Sequence, residues 1–276
     1  MGKGIETFRS AVHAWECDAV EHFTTAYYLH KISSSAMRML IELGYAVDDP
    51  FIPTTRYFYG NFSNELHKGD VYHIEVGVVE ASESELVLGH RVIDSDSETL
   101  CASFLQRLDG CAKADAEQYR IDWNGPEPEE RPAVPEDAQW TPTGAFVARP
   151  EELDWSERLD LGAYINHMSA ANIQAQTLIG MSPSYMREQR VGFSTFEYQF
   201  RLLGTPPRLG DVLETSSAVA HVGRTSLRFV HRMRNTSTGE PVAILSQMGV
   251  HLDLDTRRPA PLQELLATKA RGLLAL

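Results

Sequence analysis

The sequence predicts an α+β protein built from two copies of one folding unit, and three observations carry that prediction. Identical residues recur at a fixed spacing, each half runs through the same order of helix and strands, and a proline-rich acidic stretch divides the halves. The repeat is the most informative of the three. "HKGDV" (67–71) returns as "RLGDV" (208–212), 141 residues on, and at that spacing Tyr57 meets Tyr198 and Leu86 meets Leu227. His90-Arg91 meets His231-Arg232 in the same register, and Ala102 and Gln106 meet Ala243 and Gln247. Asp18 meets Asp160 at a spacing of 142. A single match would be noise; a series in register is a duplicated fold.

Each copy opens with an extended stretch that passes through an aspartate-bearing turn into a helix. In copy one the helix is expected over roughly Thr24 to Leu43, with Gly44 as its stop, and in copy two over roughly Asn166 to Ile179, with Gly180 and Pro183 beyond. Thr24, Thr25 and Asn166 suit the N-cap, where a side-chain oxygen accepts an orphan backbone N–H. Ala36, Met37, Met39, Leu40, Ile41 and Leu43 put apolar groups on more than one face, which predicts a buried helix. Strands follow. Tyr72, Ile74, Val76 and Val78 of "VYHIEVGVV" share one face. In "LRFVHRMRN" (227–235), Leu227, Phe229, His231 and Met233 share one face, and Arg228, Arg232 and Arg234 the other. Residues 100–108 and 242–252 close the copies as further strands.

The domain plan is therefore 1–122, a linker over 123–145, and 146–276. The heart of the linker, "NGPEPEERPAVPEDAQWTPTG", holds five prolines among clustered acids and reads as extended surface chain. Leu262, Leu265, Leu266, Leu273 and Leu274 mark an amphipathic C-terminal helix that docks on the body.

Composition narrows the function classes. With 43% hydrophobic and 23% charged residues the chain reads as globular, and no run approaches a membrane span. MGKGIETFRS lacks the apolar core of a secretory signal. Cys17, Cys101 and Cys111 are scattered, which fits neither a disulfide framework nor a cysteine zinc site. A cytoplasmic setting is the expectation. The net charge of −13 disfavours nucleic acid. Residues 1–148 hold 11 basic against 25 acidic residues and residues 149–276 hold 14 against 13, so a polyanionic ligand finds cations in the second half.

The stretch "CDAVEHFTTAYYL" resembles the Asp-x-x-Gly-His-Val-Asn-Asn-Ala-x-Tyr-Leu signature of hotdog-fold thioesterases of the 4-hydroxybenzoyl-CoA thioesterase type. Asp18 stands at the aspartate and His22 at the histidine. Thr24 and Thr25 stand at the two asparagines, and Ala26, Tyr28 and Leu29 match. In copy two, "LDLGAYINHMSA" keeps Asp160, Gly162 and Asn166, with Tyr164 at the histidine and His167 at the second asparagine. Copy one has Glu21 where the family has glycine, so neither copy is complete and the two sites are read as unequal. The tandem arrangement is similar to that of acyl-ACP thioesterases. The resemblance implies a double hotdog, each unit a long central helix wrapped by an antiparallel sheet.

The resemblance implies a thioester hydrolase acting on acyl-CoA or acyl-ACP in fatty acid metabolism. Such chemistry needs a carboxylate to attack or activate water, and donors for the oxyanion. By resemblance Asp18 is the nucleophile or base and His22 its orienting partner, with Asp160 and Asn166 as counterparts in copy two. The Thr24–Ala26 backbone supplies the polarising N–H, and Arg228, Arg232 and Arg234 are candidate contacts for coenzyme A phosphates. Without that context an aspartate before a helix is a turn or cap, and an arginine face is a wet strand face. His90 and His231 are read as structural. No metal and no cofactor beyond the coenzyme A of the substrate are expected, and the chain is expected as a monomeric pseudo-dimer or a homo-oligomer. Two other readings stand beside the hydrolase. One is a hotdog hydratase or dehydratase, whose motif is absent because Asp18 and His22 lie four apart with Ala-Val-Glu between them. The other is a non-catalytic acyl-CoA binding module.

Overall fold

The computed structural model describes residues 4–18, 22–46, 48–49, 51–110 and 114–275. The chain forms two compact units, the first made of Met1–Pro128 with Arg149–Ile165, the second of Glu129–Ala148 with Asn166–Leu276. The first unit carries β1 (Ile5–Ala11), α1 (Thr25–Glu42), β2 (Thr54–Phe62), β3 (Val71–Ala81), β4 (Glu85–Asp94) and β5 (Leu100–Asp109). Its strands are antiparallel in the order β1-β3-β4-β5-β2. Helix α1 packs on β1 and β3 through Leu29, Ile32, Ala36, Met39 and Leu40, all essentially without solvent exposure. Tyr72, Ile74, Val76 and Val78 line the buried face of β3 as the alternation predicted. Thr24 is the N-cap of α1 and its hydroxyl accepts the Ala26 N–H at 3.4 Å.

Chain order in the remainder is β6 (Thr141–Val147), α2 (Leu161–Leu178), α3 (Pro183–Gln189), β7 (Val191–Leu202), β8 (Val212–Val222), β9 (Ser226–Asn235), β10 (Pro241–Asp253), the short β11 (Arg258–Pro259) and α4 (Glu264–Gly272). The second unit's sheet runs β7-β10-β9-β8-β6, with β11 on β10. Its core gathers Ala175, Ile179, Val219, Leu227, Phe229 and Ala270. Leu227, Phe229, His231 and Met233 are fully buried, as their shared face predicted. The C-terminal helix docks on β8 through Leu266, Ala267 and Ala270, although Leu265 is exposed and not part of its apolar stripe. No helix among the described residues is long and apolar enough to cross a membrane.

The backbone corrects the register of the repeat. Helix α2 begins at Leu161, not near Asn166, and both long helices span 18 residues. Cys17 bridges Phe23 as Leu153 bridges Leu159. The Asp18 N–H donates to His22 O at 2.9 Å as the Asp154 N–H donates to Arg158 O at 2.8 Å. The Thr24 N–H reaches Glu16 O as the Asp160 N–H reaches Glu152 O, both at 2.9 Å. Through the helices the copies are thus 136 residues apart, and α3 with its turn adds five to restore 141 in the strands. The counterpart of Asp18 is Asp154. Asp160 answers to Thr24, the N-cap.

The repeated "GD" is a backbone device. Gly69 and Gly210 take φ of 97° and 85°, left-handed values that favour glycine. Asp70 and Asp211 then accept the His67 and Arg208 N–H groups at 2.7 and 3.0 Å. The proline-rich stretch has little regular structure before β6, but it is seated. On the first unit Ile121 N–H bonds Val78 O at 2.9 Å, and the Arg91 guanidinium stands 5.5 Å from the Trp123 ring. On the second, Arg131 pairs through two nitrogens with the buried Glu197. Arg228 donates to Pro132 O, and Arg232 lies 4.2 Å over the Trp140 ring.

Candidate active site

The first unit holds a cavity of about 520 Å³ lined by residues of α1 and of the chain leading into α2. His30, Lys31, Ser33 and Met37 line it from one side, and Leu153, Asp154, Trp155 and Asp160 from the other. Its size is that of a small-molecule site. Two aspartates and a histidine in one recess are the groups from which acid–base chemistry is built.

Asp160 is the most heavily tethered of them. Its Oδ2 accepts the Gly162 N–H at 2.7 Å, the Ser33 hydroxyl donates to its Oδ1, and His30 Nδ1 stands 3.4 Å from Oδ2. An N-cap carboxylate also gains from the positive end of the helix dipole. The approach of His30 depends on Gly162, since a Cβ there would sit 2.2 Å from the imidazole. Lys31 pairs with Glu16 at 2.8 Å, and Glu16 is itself buried with its second oxygen on the His13 N–H.

Asp154 is held differently. Oδ1 alone takes the Ser156 N–H (2.8 Å), the Ser156 hydroxyl (2.6 Å) and the Arg158 N–H (3.3 Å). Oδ2 takes no hydrogen bond among the described residues. Burial pushes the Asp154 carboxyl above its ordinary value and the charge of Asp160 adds to the rise, against the hydrogen bonds that pull it down. A desolvated carboxylate with one open oxygen in a recess has the attributes of a general base.

The residues expected from the sequence divide between places. Asp160 lines the cavity. Asp18 is exposed, and its Oδ1 accepts the His22 N–H at 3.0 Å. The His22 ring lies 3.2 Å from Glu65 and stacks edge-on with His67. Thr24, Thr25 and Ala26 form the start of α1, with Ala26 buried. Asn166 is exposed in the second turn of α2. Arg228 and Arg232 are engaged by residues 132 and 140, whereas Arg234 is exposed. The repeated histidines are buried and bonded: His90 to Gln106 at 2.9 Å, and His231 to Ser217 at 2.6 Å.

Sequence reasoning missed Asp154, His30 and Ser33. A signal for Asp154 was present, because Gly44 and Gly180 end the two helices 136 residues apart, as do Tyr28 and Tyr164 within them. At that spacing "DWSERLDLGAYI" (154–165) aligns with "DAVEHFTTAYYL" (18–29), placing Asp154 on Asp18 and Arg158 on His22.

Comparison with protein families matches the thioesterase-like superfamily twice, over residues 12–139 and 149–269. No curated protein matches the sequence. Among solved structures, an acyl-ACP thioesterase from Bacteroides thetaiotaomicron VPI-5482 is 12% identical with a TM-score of 0.63, covering 88% of this chain and 96% of that one. The 12:0-ACP thioesterase from Umbellularia californica is 10% identical with a TM-score of 0.66, covering 88% of this chain and 94% of that one. At such identities the likeness is one of fold, and it is the double hotdog.

Proposed function

The chain belongs to the thioesterase-like superfamily, and from that premise we propose that it hydrolyses acyl thioesters of coenzyme A or acyl carrier protein, with Asp154 as general base. The observation that carries the assignment is the half-buried Asp154 carboxylate, whose Oδ2 takes no hydrogen bond among the described residues, in a recess at the start of a long helix. The similar structures named as acyl-ACP thioesterases support the substrate class.

In the proposed reaction the thioester carbonyl lies in the cavity with a water beside Asp154. Oδ2 takes a proton from the water as its oxygen bonds to the carbonyl carbon, and the carbonyl π pair moves onto oxygen. The positive end of the α2 dipole favours that oxyanion. Collapse breaks the C–S bond, and the departing thiolate takes the proton back from Asp154, leaving a carboxylic acid and a free thiol. Asp160 acts through others: it keeps His30 and Ser33 of α1 facing the recess. Under this reading Asp18 is the lesser partner. That reverses the expectation from the signature, because Asp18 is exposed and Asp154 is not.

The test is thiol release, followed with a thiol reagent, across acyl-CoA chain lengths, aromatic acyl-CoAs and acyl-ACP. Hydrolysis of at least one class, lost in Asp154→Asn, supports the proposal. Binding of acyl-CoA without any thiol release would show a binding module, and loss of enoyl-CoA absorbance with the thioester intact would show a hydratase.

A further inference from the structure

We propose that His22, Glu65 and His67 form a binding site for a divalent transition-metal ion, with Zn²⁺ as the preferred occupant. The three side chains offer one ligand atom each, and those atoms all lie within 4.8 Å of one another. His22 Nε2 stands 3.2 Å and His67 Nε2 3.6 Å from the same Glu65 oxygen. Ligands at about 2.0–2.2 Å from a tetrahedral zinc are separated from each other by roughly 3.3–3.6 Å. The two histidine–carboxylate spacings, 3.2 and 3.6 Å, are close to such edges, and the third lies within 4.8 Å. Imidazole and carboxylate are the donors of the zinc and non-haem iron group, and the carboxylate supplies the charge that two neutral rings lack.

The ligands are held by backbone before any ion arrives. His22 and His67 are paired in an antiparallel bridge, and the Phe23 N–H bonds Leu66 O at 2.8 Å, so the two histidines are fixed opposite one another. Asp18 holds the His22 N–H, and Asp70 holds the His67 N–H at 2.7 Å. The Asp70 carboxylate also stands 3.7 Å from His67 Nδ1, on the side of the ring away from the ligand nitrogen. At that distance, beyond a hydrogen bond, the carboxylate favours a metal-bound imidazole through its charge. The side chains of Glu65 and His67 are about one-third and nearly half exposed, which leaves water access to a fourth position.

The second copy cannot repeat the site. At the corresponding positions it has Arg158, Pro206 and Arg208, none of which ligates a metal. The two copies have thus diverged: the signature aspartate of copy two lines the cavity, and the signature histidine of copy one serves the ion. An ion here would tie the turn before α1 to the turn before β3.

The experiment is calorimetric titration of Zn²⁺ into full-length protein stripped with a chelator, at pH 7.5, with Mg²⁺ as the hard-ion control. One equivalent of Zn²⁺ should bind the wild type, Mg²⁺ should not, and Zn²⁺ should raise the melting temperature. Glu65→Gln and His67→Asn should each weaken Zn²⁺ binding by at least roughly tenfold, in line with loss of a ligand. Both sites are partly exposed, so folding of these variants is verified by circular dichroism, and Asp154 is untouched. Absence of stoichiometric Zn²⁺ binding overturns the proposal, as does Zn²⁺ binding that persists at full strength in both variants. Either result would leave the cluster as a histidine–glutamate ion pair. Thiol release is not read, so failure here is separable from failure of the proposed hydrolysis.

Discussion

Lowering the pH from 6.5 to 5.0 should destabilise this protein well before ordinary carboxylates protonate, because of the two repeated histidines. His90 and His231 are completely buried, and burial lowers their imidazoles from 6.5 to about 4 and about 3. The hydrogen bond of His90 to Gln106 and the neighbouring Gln247 amide at His231 oppose the fall only in part. Below pH 6.5 the unfolded chain binds two protons that the folded chain refuses, so unfolding is favoured as pH drops and stability rises with pH across the window. Each pH unit costs about 1.4 kcal/mol per imidazole, so at pH 5.0 the pair costs roughly 4 kcal/mol. That is a large share of the roughly 5–15 kcal/mol of a typical domain. His251, also lowered by burial, adds in the same direction. Urea unfolding monitored by circular dichroism at pH 7.5, 6.5, 5.5 and 5.0 measures the slope. His90→Gln or His231→Gln should remove close to half of it, and imidazole NMR shifts in the wild type should show both rings neutral in folded protein at pH 5.0. A flat stability between pH 6.5 and 5.0, or folded rings titrating near 6.5, would refute the reasoning.

Two further outcomes follow from the packing. Arg131→Ala leaves the buried Glu197 carboxylate without the cation that meets both its oxygens, and should cost on the order of 3 kcal/mol in urea unfolding. Adding Glu197→Gln should recover part of that loss, and no recovery would mean that Arg131 acts through packing alone. Gly162→Ala puts a methyl group 2.2 Å from the His30 ring and should lower kcat for thiol release with little change in melting temperature. An unchanged kcat would remove His30 from the account.

The fold was legible because its signals are local and doubled. Alternation placed Tyr72, Ile74, Val76 and Val78 on a buried face, and the same pattern placed Leu227, Phe229 and His231. Glycine stops placed the ends of α1 and α2 within a few residues. Asn166 is a good N-cap by type, yet Asp160 caps α2, a residue that the 142-residue spacing assigns to chemistry instead. An insertion between helix and strand shifts one register against another, and a single offset cannot describe both. The candidate site was less legible still. His30 and Ser33 meet Asp160 across more than a hundred residues of chain, and His22 meets Glu65 and His67 through a backbone bridge. Neither encounter has a sequence period. Composition marks the proline-rich stretch as linker, and the contacts of Arg131, Trp123 and Trp140 along it are ones that composition does not encode.

The assignment of Asp154 is tested most directly by kcat/KM for one good acyl-CoA substrate in three nearly isosteric variants, Asp154→Asn, Asp160→Asn and Asp18→Asn. Loss of a general base costs a factor on the order of 10² to 10⁴. The account predicts a loss of that size for Asp154→Asn and a smaller one for Asp160→Asn, which disturbs His30 and Ser33 but removes no base. Asp18→Asn should stay near wild type. A loss in Asp18→Asn equal to or greater than that in Asp154→Asn would contradict it and return the chemistry to the first copy.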